Sequence, residues 1–128
     1  MPVSLSDHAK ALADARTFAT LGTLNADGSP HLSVLWITRD GDDLLLSTVV
    51  GRQKERNLRR DPRLSVILIN SDDPYDYAEI RGRASLIEAG GRELIDALSA
   101  KYRGRPYDAE PAGTVRVVIR VTADRVVR

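Results

Sequence analysis

Two short turns, Asn25-Ala26-Asp27-Gly28-Ser29-Pro30 and Arg39-Asp40-Gly41-Asp42, separate three runs of alternating residues, and this punctuation leaves the chain few ways to fold. Asp40-Gly41 is the dipeptide that two-residue hairpins favour, because both central residues need positive backbone angles. The earlier turn is made of residues that tolerate unusual backbone angles or start loops. The runs on either side are Thr17 to Leu24, His31 to Thr38 and Asp43 to Val49. In the second, Leu32, Val34 and Trp36 share one face, and Ser33, Leu35 and Ile37 the other. Strands joined by hairpins pair antiparallel, so the first half is expected to be a three-strand meander.

The rest of the chain extends that sheet. Residues 4–16 read as an alanine-rich helix that opens at Ser4-Leu5-Ser6-Asp7, a capping-box pattern, and packs as a lid. Leu64 to Asn70 is apolar on both faces and is expected to be a central strand. Residues 71–74 are expected to be a loop. A long fifth strand lies within Tyr75 to Glu88, where Gly82 marks a bulge or a close backbone approach. Ala89 to Tyr102 is a helix with Leu94, Ile95, Leu98 and Tyr102 on one stripe. Residues 103–113 form an irregular loop, either a lid or a connection. Thr114 to Arg128 is a strand pair or one long bent strand. These elements make about six strands, two longer helices and one short one. A sheet with so few covering helices curls into a small barrel. With 128 residues, and no linker or repeat, the expected organisation is a single domain over residues 1–128.

The third strand runs into Ser47-Thr48-Val49-Val50-Gly51-Arg52-Gln53-Lys54-Glu55-Arg56-Asn57-Leu58-Arg59-Arg60-Asp61-Pro62. It breaks at Gly51 and opens a short helix, which should end near Arg60 because proline disfavours helical geometry in the residue before it. The first amides of a helix lack intrahelical partners and carry partial positive charge. Arg52 and Lys54 sit at that mouth, one a planar fork for phosphate and the other a mobile point charge. Asn57 lies one turn on and offers a further donor. Residues 51–63 carry six basic side chains against Glu55 and Asp61, a local excess of +4. That excess favours an anionic ligand; equally, a basic helix on a small domain is ordinarily a solvated face. Neither the P-loop nor the dinucleotide glycine motif is present.

Other chemistry is scarce. There are no cysteines, which removes disulfides, thiolate catalysis and cysteine metal sites. The two histidines, His8 and His31, suggest no metal site. No nucleophile elbow or triad is present, and Glu79 and Glu88 make no carboxylate pair. Asp72, Asp73 and Asp76 read as a solvated turn, since calcium-loop spacing is absent. No run is long and apolar enough for a bilayer span, and residues 1–8 do not read as a secretory signal, so the expected location is cytoplasmic. Net charge is +1 and the basic stretch has no interleaved aromatics, which argues against nucleic acid. No catalytic side chain is assigned; if the chain is an enzyme, a cofactor carries the chemistry. Tyr75 and Tyr77 share a strand face and suit a planar ligand, a subunit interface or plain packing.

The order of these features resembles the pyridoxamine 5′-phosphate oxidase-like split-barrel flavoproteins, and within them the coenzyme F420 (deazaflavin)-dependent reductases. The resemblance runs through Ala19-Thr20-Leu21-Gly22-Thr23-Leu24, Asp27-Gly28-Ser29-Pro30, Val34-Leu35-Trp36-Ile37, Leu46-Ser47-Thr48, Gly51 to Leu64, Tyr75-Asp76-Tyr77 and Arg81-Gly82-Arg83-Ala84. It implies an antiparallel split β-barrel, mainly β with flanking helices. It further implies a homodimer with two cofactor sites at the subunit interface. Arg52, Lys54 and Asn57 would hold the cofactor phosphate. The planar ring would lie against Ser47 and Thr48 and near Pro30 to Trp36, and Tyr75 and Tyr77 of the other subunit would close the site. The implied activity is hydride transfer from reduced coenzyme F420 to a small unsaturated acceptor. The alternatives are an FMN-dependent oxidoreductase of the same fold, or a protein that only binds flavin, deazaflavin or haem. Arg56, Arg59 and Arg60 would attract the glutamate tail of coenzyme F420, or are solvated surface.

Overall fold

The computed structural model describes all of residues 1–128. Its strands are β1 (Phe18–Leu24), β2 (Pro30–Leu35), β3 (Thr38–Asp40), β4 (Asp43–Val49), β5 (Arg63–Asn70), β6 (Asp73–Ile87) and β7 (Arg116–Val127). They form one sheet in the order β2-β1-β5-β6-β7-β4-β3, with every pairing antiparallel. Alternate residues of β1, β4, β5, β6 and β7 point to one shared interior, where Leu21, Leu44, Leu46, Val66, Leu68, Ile80, Ile119 and Val121 are buried. The inner face of a two-periodic sheet thus closes on itself around one core. The fold is the expected mainly-β antiparallel split barrel, with three helices outside it.

The helices close what the sheet leaves open. In α1 (Asp7–Asp14), Ala9, Leu12 and Ala13 join the barrel core. Its cap is Ser6, whose hydroxyl accepts the Ala9 amide at 3.1 Å, so the helix starts later than residue 4. The preceding residues are held elsewhere: the Val3 amide donates to Ala123 O at 2.8 Å and the Leu5 amide to Asp42 Oδ1 at 3.0 Å. The basic helix α2 (Gln53–Arg60) stops at Asp61, as the following proline requires. In α3 (Gly91–Arg103), Ile95 and Leu98 are buried.

The expected three-strand meander is not what forms. His31 to Thr38 is interrupted at Trp36 and Ile37, and the two halves, β2 and β3, lie at opposite edges of the sheet. That interruption raises the strand count from six to seven. Its physical cause is α3: the Ile37 amide donates to the Tyr102 hydroxyl at 3.1 Å, and the Ile37 carbonyl accepts from Lys101 Nζ at 2.5 Å. With both backbone groups of Ile37 satisfied by side chains, the ladder can end there without stranding a buried polar group. Because β3 pairs only with Asp43, Leu44 and Leu45, residues 46–49 of β4 keep a free edge. This is the split in the barrel.

β6 starts at Asp73, so the expected loop at 71–74 is mostly strand. The C-terminal segment is one long strand, β7, whose register against β6 shifts between Arg81 and Gly82. A Cβ at Gly82 would lie 2.2 Å from Thr122 O, so this close approach admits only glycine.

Candidate anion cradle and slot

β4 delivers the chain to Gly51, whose φ of +97° suits glycine and turns the backbone into α2. The Gly51 amide donates to Glu55 Oε1 at 2.8 Å, which fixes the turn. Burial pushes the Glu55 carboxyl up, but that amide and Arg59 outweigh it and hold it below the usual range. Most of the local positive charge is then accounted for. Arg56 donates to Gly51 O and to Gln53 Oε1, Arg59 pairs with Glu55, Arg60 donates to Leu24 O, and Arg63 pairs with Asp61 at 2.8 Å.

Arg52 and Lys54 are different. Neither side chain donates to any protein acceptor, and the N-terminus of α2 has no side-chain cap. Lys54 is buried, and its ammonium is lowered from the ordinary lysine value first by desolvation and then by Arg52 and Arg116. Two unpaired cations and an uncapped helix start form a cradle suited to a phosphate. The Thr48 hydroxyl is also buried with no hydrogen-bond partner, but on the barrel side of β4 with Leu44 and Leu46, opposite Ser47.

A cavity of about 240 Å³ opens from this cradle into the split. Val34, Leu35 and Trp36 at the end of β2 line one side, with Phe18 of β1, and Ser47 and Arg52 at the end of β4 line the other. Ile95 and Leu98 of α3 form its floor, and Tyr107 and Arg116 its far wall. Trp36 stacks on Tyr102 with ring centroids 5.4 Å apart and meets Tyr107 edge-on at 6.2 Å. Arg116 donates to Ser47 Oγ at 3.3 Å and lies 4.9 Å from the Tyr107 centroid. The slot is therefore apolar and aromatic along its length and cationic at one end, a form suited to a planar heterocycle carrying an anion.

Of the residues expected from sequence, Trp36, Ser47 and Arg52 line this slot, and Lys54 lies near its cationic end, within reach of Arg52 and Arg116. Thr48 does not line it. Asn57 does not belong to it. Its amide nitrogen donates to Thr23 Oγ1 at 3.0 Å and Asn25 Oδ1 at 2.9 Å, and its oxygen accepts from Gln53 at 2.7 Å. Fully buried and fully engaged, Asn57 fastens α2 to the end of β1. Arg56, Arg59 and Arg60 are likewise engaged within the protein. Tyr75 and Tyr77 do not line the slot of their own chain: Tyr75 is exposed, and Tyr77 lies beneath Arg128 at 4.9 Å. Five residues of the slot escaped the sequence reading: Phe18, Ile95 and Leu98, which read as ordinary strand and helix positions, and Tyr107 and Arg116. Arg116 sits in an alternating strand where a polar residue signals solvent, and nothing local marks it as buried. No three His, Cys, Asp or Glu side chains cluster as metal ligands, and no helix is long and apolar enough to cross a membrane.

Residues 5–127 match the family described as pyridoxamine 5′-phosphate oxidase. The chain belongs to this split-barrel family. The family fold is one that houses flavin and deazaflavin cofactors. A solved structure named F420 reductase superposes on this split-barrel protein with a TM-score of 0.84 at 26% identity, over 96% of this chain and 98% of that one. A conserved hypothetical protein of Mycobacterium tuberculosis gives 0.77 at 28% identity, over 98% and 84%. The general stress protein 26 of Bacillus anthracis shares the fold, with a TM-score of 0.71 at 20% identity over 94% and 89%.

Proposed function

We propose that this split-barrel protein is a coenzyme F420-dependent oxidoreductase that passes a hydride from the reduced deazaflavin to a small unsaturated acceptor. The observation that carries the reading is the cradle: the side chains of Arg52 and Lys54, both without protein partners, at the cationic end of an aromatic slot. The deazaflavin, when bound, supplies the hydride chemistry. Arg52 would hold the phosphate with its planar fork, and Lys54 would add charge in a desolvated setting. The free edge of β4 at residues 46–49 would leave backbone groups open to a bound cofactor. Leu35, Trp36, Ile95 and Leu98 would supply the apolar lining of the slot. The protein assigns no side chain as proton donor. Deazaflavin is preferred to FMN because of the similarity to the structure named F420 reductase; the phosphate cradle suits either cofactor.

The same reading includes a homodimer. The outer face of β1, β2 and β5 is apolar and uncovered: Leu32 is 67% and Val34 66% exposed, with Phe18 beside them. This face continues into the slot, since Phe18 and Val34 belong to both. A second copy seated there adds the missing wall of the cofactor site, and Tyr75 and Tyr77 are the aromatic side chains it brings.

The test is a parallel titration of ligand-stripped protein with coenzyme F420 and FMN, followed by each cofactor's own fluorescence at moderate salt. Tighter binding of coenzyme F420, with oxidation of the reduced form by an unsaturated acceptor, is the expected result. Preference for FMN replaces the reading with the flavin oxidoreductase of the same fold. Tight binding without turnover across a broad acceptor panel makes the chain a carrier.

A further inference from the structure

The segment joining α3 to β7, residues 104–115, is tied down by two arginines around one carboxylate, with a third against its aromatic side chains. Arg92 donates to the carbonyls of Tyr107 at 2.8 Å and Asp108 at 3.1 Å, and to Glu110 Oε2 at 3.2 Å. Arg116 donates to the other oxygen, Glu110 Oε1, at 2.6 Å. Arg103 lies 5.1 Å from the Trp36 centroid and 5.4 Å from that of Tyr107. Arg116 faces two ways. On one side it meets Glu110; on the other it reaches the slot, donates to Ser47 and, with Arg52, depresses the Lys54 ammonium. Its side chain is only 7% exposed. A buried guanidinium needs a counter-charge, and here the only carboxylate against it is carried by the loop that walls the slot.

Resting on the anion-site reading above, we propose that Arg116 is a third cation of the cradle and that Glu110 is its internal stand-in for a ligand anion. A phosphate or carboxylate group entering between Arg52, Lys54 and Arg116 competes with Glu110 for the same guanidinium. As Arg116 turns to the ligand, Glu110 is left with Arg92 alone, and the contact that closes residues 109–115 against β7 is released. The Tyr107 backbone stays held by Arg92 and by Asp96 Oδ1, which accepts its amide at 3.0 Å, but its ring loses the Arg116 guanidinium 4.9 Å from its centroid and swings away from Trp36, which widens the slot on the side where an acceptor enters. Anion binding and loop opening are thus one equilibrium: what loosens Glu110 from Arg116 tightens anion binding, and the converse.

Trp36 is the only tryptophan, and Tyr107 and Arg103 shield it, so its accessibility reports the loop. The experiment titrates the full chain with inorganic pyrophosphate, which is optically silent, against chloride at matched ionic strength. Acrylamide quenching of Trp36 is followed in wild type, Glu110→Gln and Arg116→Gln. Pyrophosphate should raise Trp36 quenching in wild type. Glu110→Gln, which removes the competing charge and can accept only one of the two arginine hydrogen bonds, should bind pyrophosphate about tenfold more tightly and show high quenching before any ligand. Arg116→Gln should bind about tenfold more weakly. Unchanged quenching in saturated wild type overturns the proposal whether or not the variants fold. So does a Glu110→Gln protein that binds no more tightly. Coenzyme F420 and FMN are titrated alongside by their own fluorescence. If neither binds while pyrophosphate still opens the loop, the cofactor reading fails and the Glu110 device stands; if a cofactor binds and Trp36 ignores pyrophosphate, the reverse holds.

Discussion

The Tyr102 hydroxyl accepts the Ile37 amide proton at 3.1 Å and donates its own proton to Thr17 O. One phenol thereby joins α3 to the end of β2 and to the residue before β1, at the point where the barrel opens. Tyr102→Phe keeps the ring that stacks on Trp36 but leaves a half-buried amide and a carbonyl without partners. The expected cost is about 2 kcal/mol, read as a lower urea midpoint with an unchanged slope. A loss well below that would mean that water replaces the phenol and that the break at Ile37 does not depend on it.

Lys101 acts at the same place, donating to Ala13 O at 2.7 Å and Ile37 O at 2.5 Å. Burial lowers its ammonium to about 8, with Asp14 opposing. The folded chain therefore releases this proton before the unfolded chain does, whose lysine titrates near 10.5. Between these values the unfolded state binds more protons, so the Lys101 contribution to stability rises with pH across that window. The neutral amine still donates to both carbonyls. Thermal unfolding from pH 7.5 to 10 should show wild type gaining on Lys101→Met as pH rises; parallel curves would contradict it.

Asn57 separates cradle from scaffold. Its side-chain hydrogen bonds all run to protein atoms, so Asn57→Ala should destabilise by about 2–3 kcal/mol. The anion affinity of whatever fraction stays folded should be little changed. A selective loss of anion binding at full stability would return Asn57 to the site.

These residues show what a sequence of this kind reveals and what it hides. The hairpin turn at 25–30, the strand glycine at 82 and the basic helix after Gly51 are local signals, and each is where the residues said it would be; the second turn falls one residue late, on Gly41-Asp42, because Asp40 still pairs with Asp43. The break at Trp36 and Ile37 is not local. His31 to Thr38 alternates without a flaw, and the groups that end the ladder are side chains 64 and 65 residues away. The cradle was legible as charge at Arg52 and Lys54. Their distinction from Arg56, Arg59, Arg60 and Arg63 was not, because it depends on which arginines find acceptors in the fold. Arg116 and Glu110 were illegible for the same reason, since their pairing is a product of the loop's return.

Leu32 and Gly22 are opposed across β1 and β2, on the face proposed to join two copies. Leu32→Asp adds a charge at a side chain exposed in the single chain, where it disturbs no packing. In a dimer that charge is buried without a partner, which costs several kcal/mol. Sedimentation should find wild type as a dimer and Leu32→Asp as a folded monomer with weakened cofactor binding. A wild-type monomer that binds cofactor fully would remove the second copy from the site.

The Arg52 and Lys54 side chains make no protein hydrogen bond, so removing them should separate binding from stability. Arg52→Ala and Lys54→Met should each weaken cofactor binding by roughly 10- to 100-fold, the value of a charge-assisted bond. The urea midpoint should hold for Arg52→Ala and hold or rise for Lys54→Met, which relieves a buried, unpaired ammonium. The pH dependence tells the two apart. Lys54 titrates below the ordinary 10.5 because burial, Arg52 and Arg116 all disfavour its charge, so anion affinity should fall on the alkaline side at a lower pH than an exposed lysine would give. Lys54→Met should abolish that alkaline limb, and Arg52→Ala should move it to higher pH by removing a repelling charge. An alkaline limb that survives in Lys54→Met would assign the titration, and with it the central cation of the cradle, to another residue.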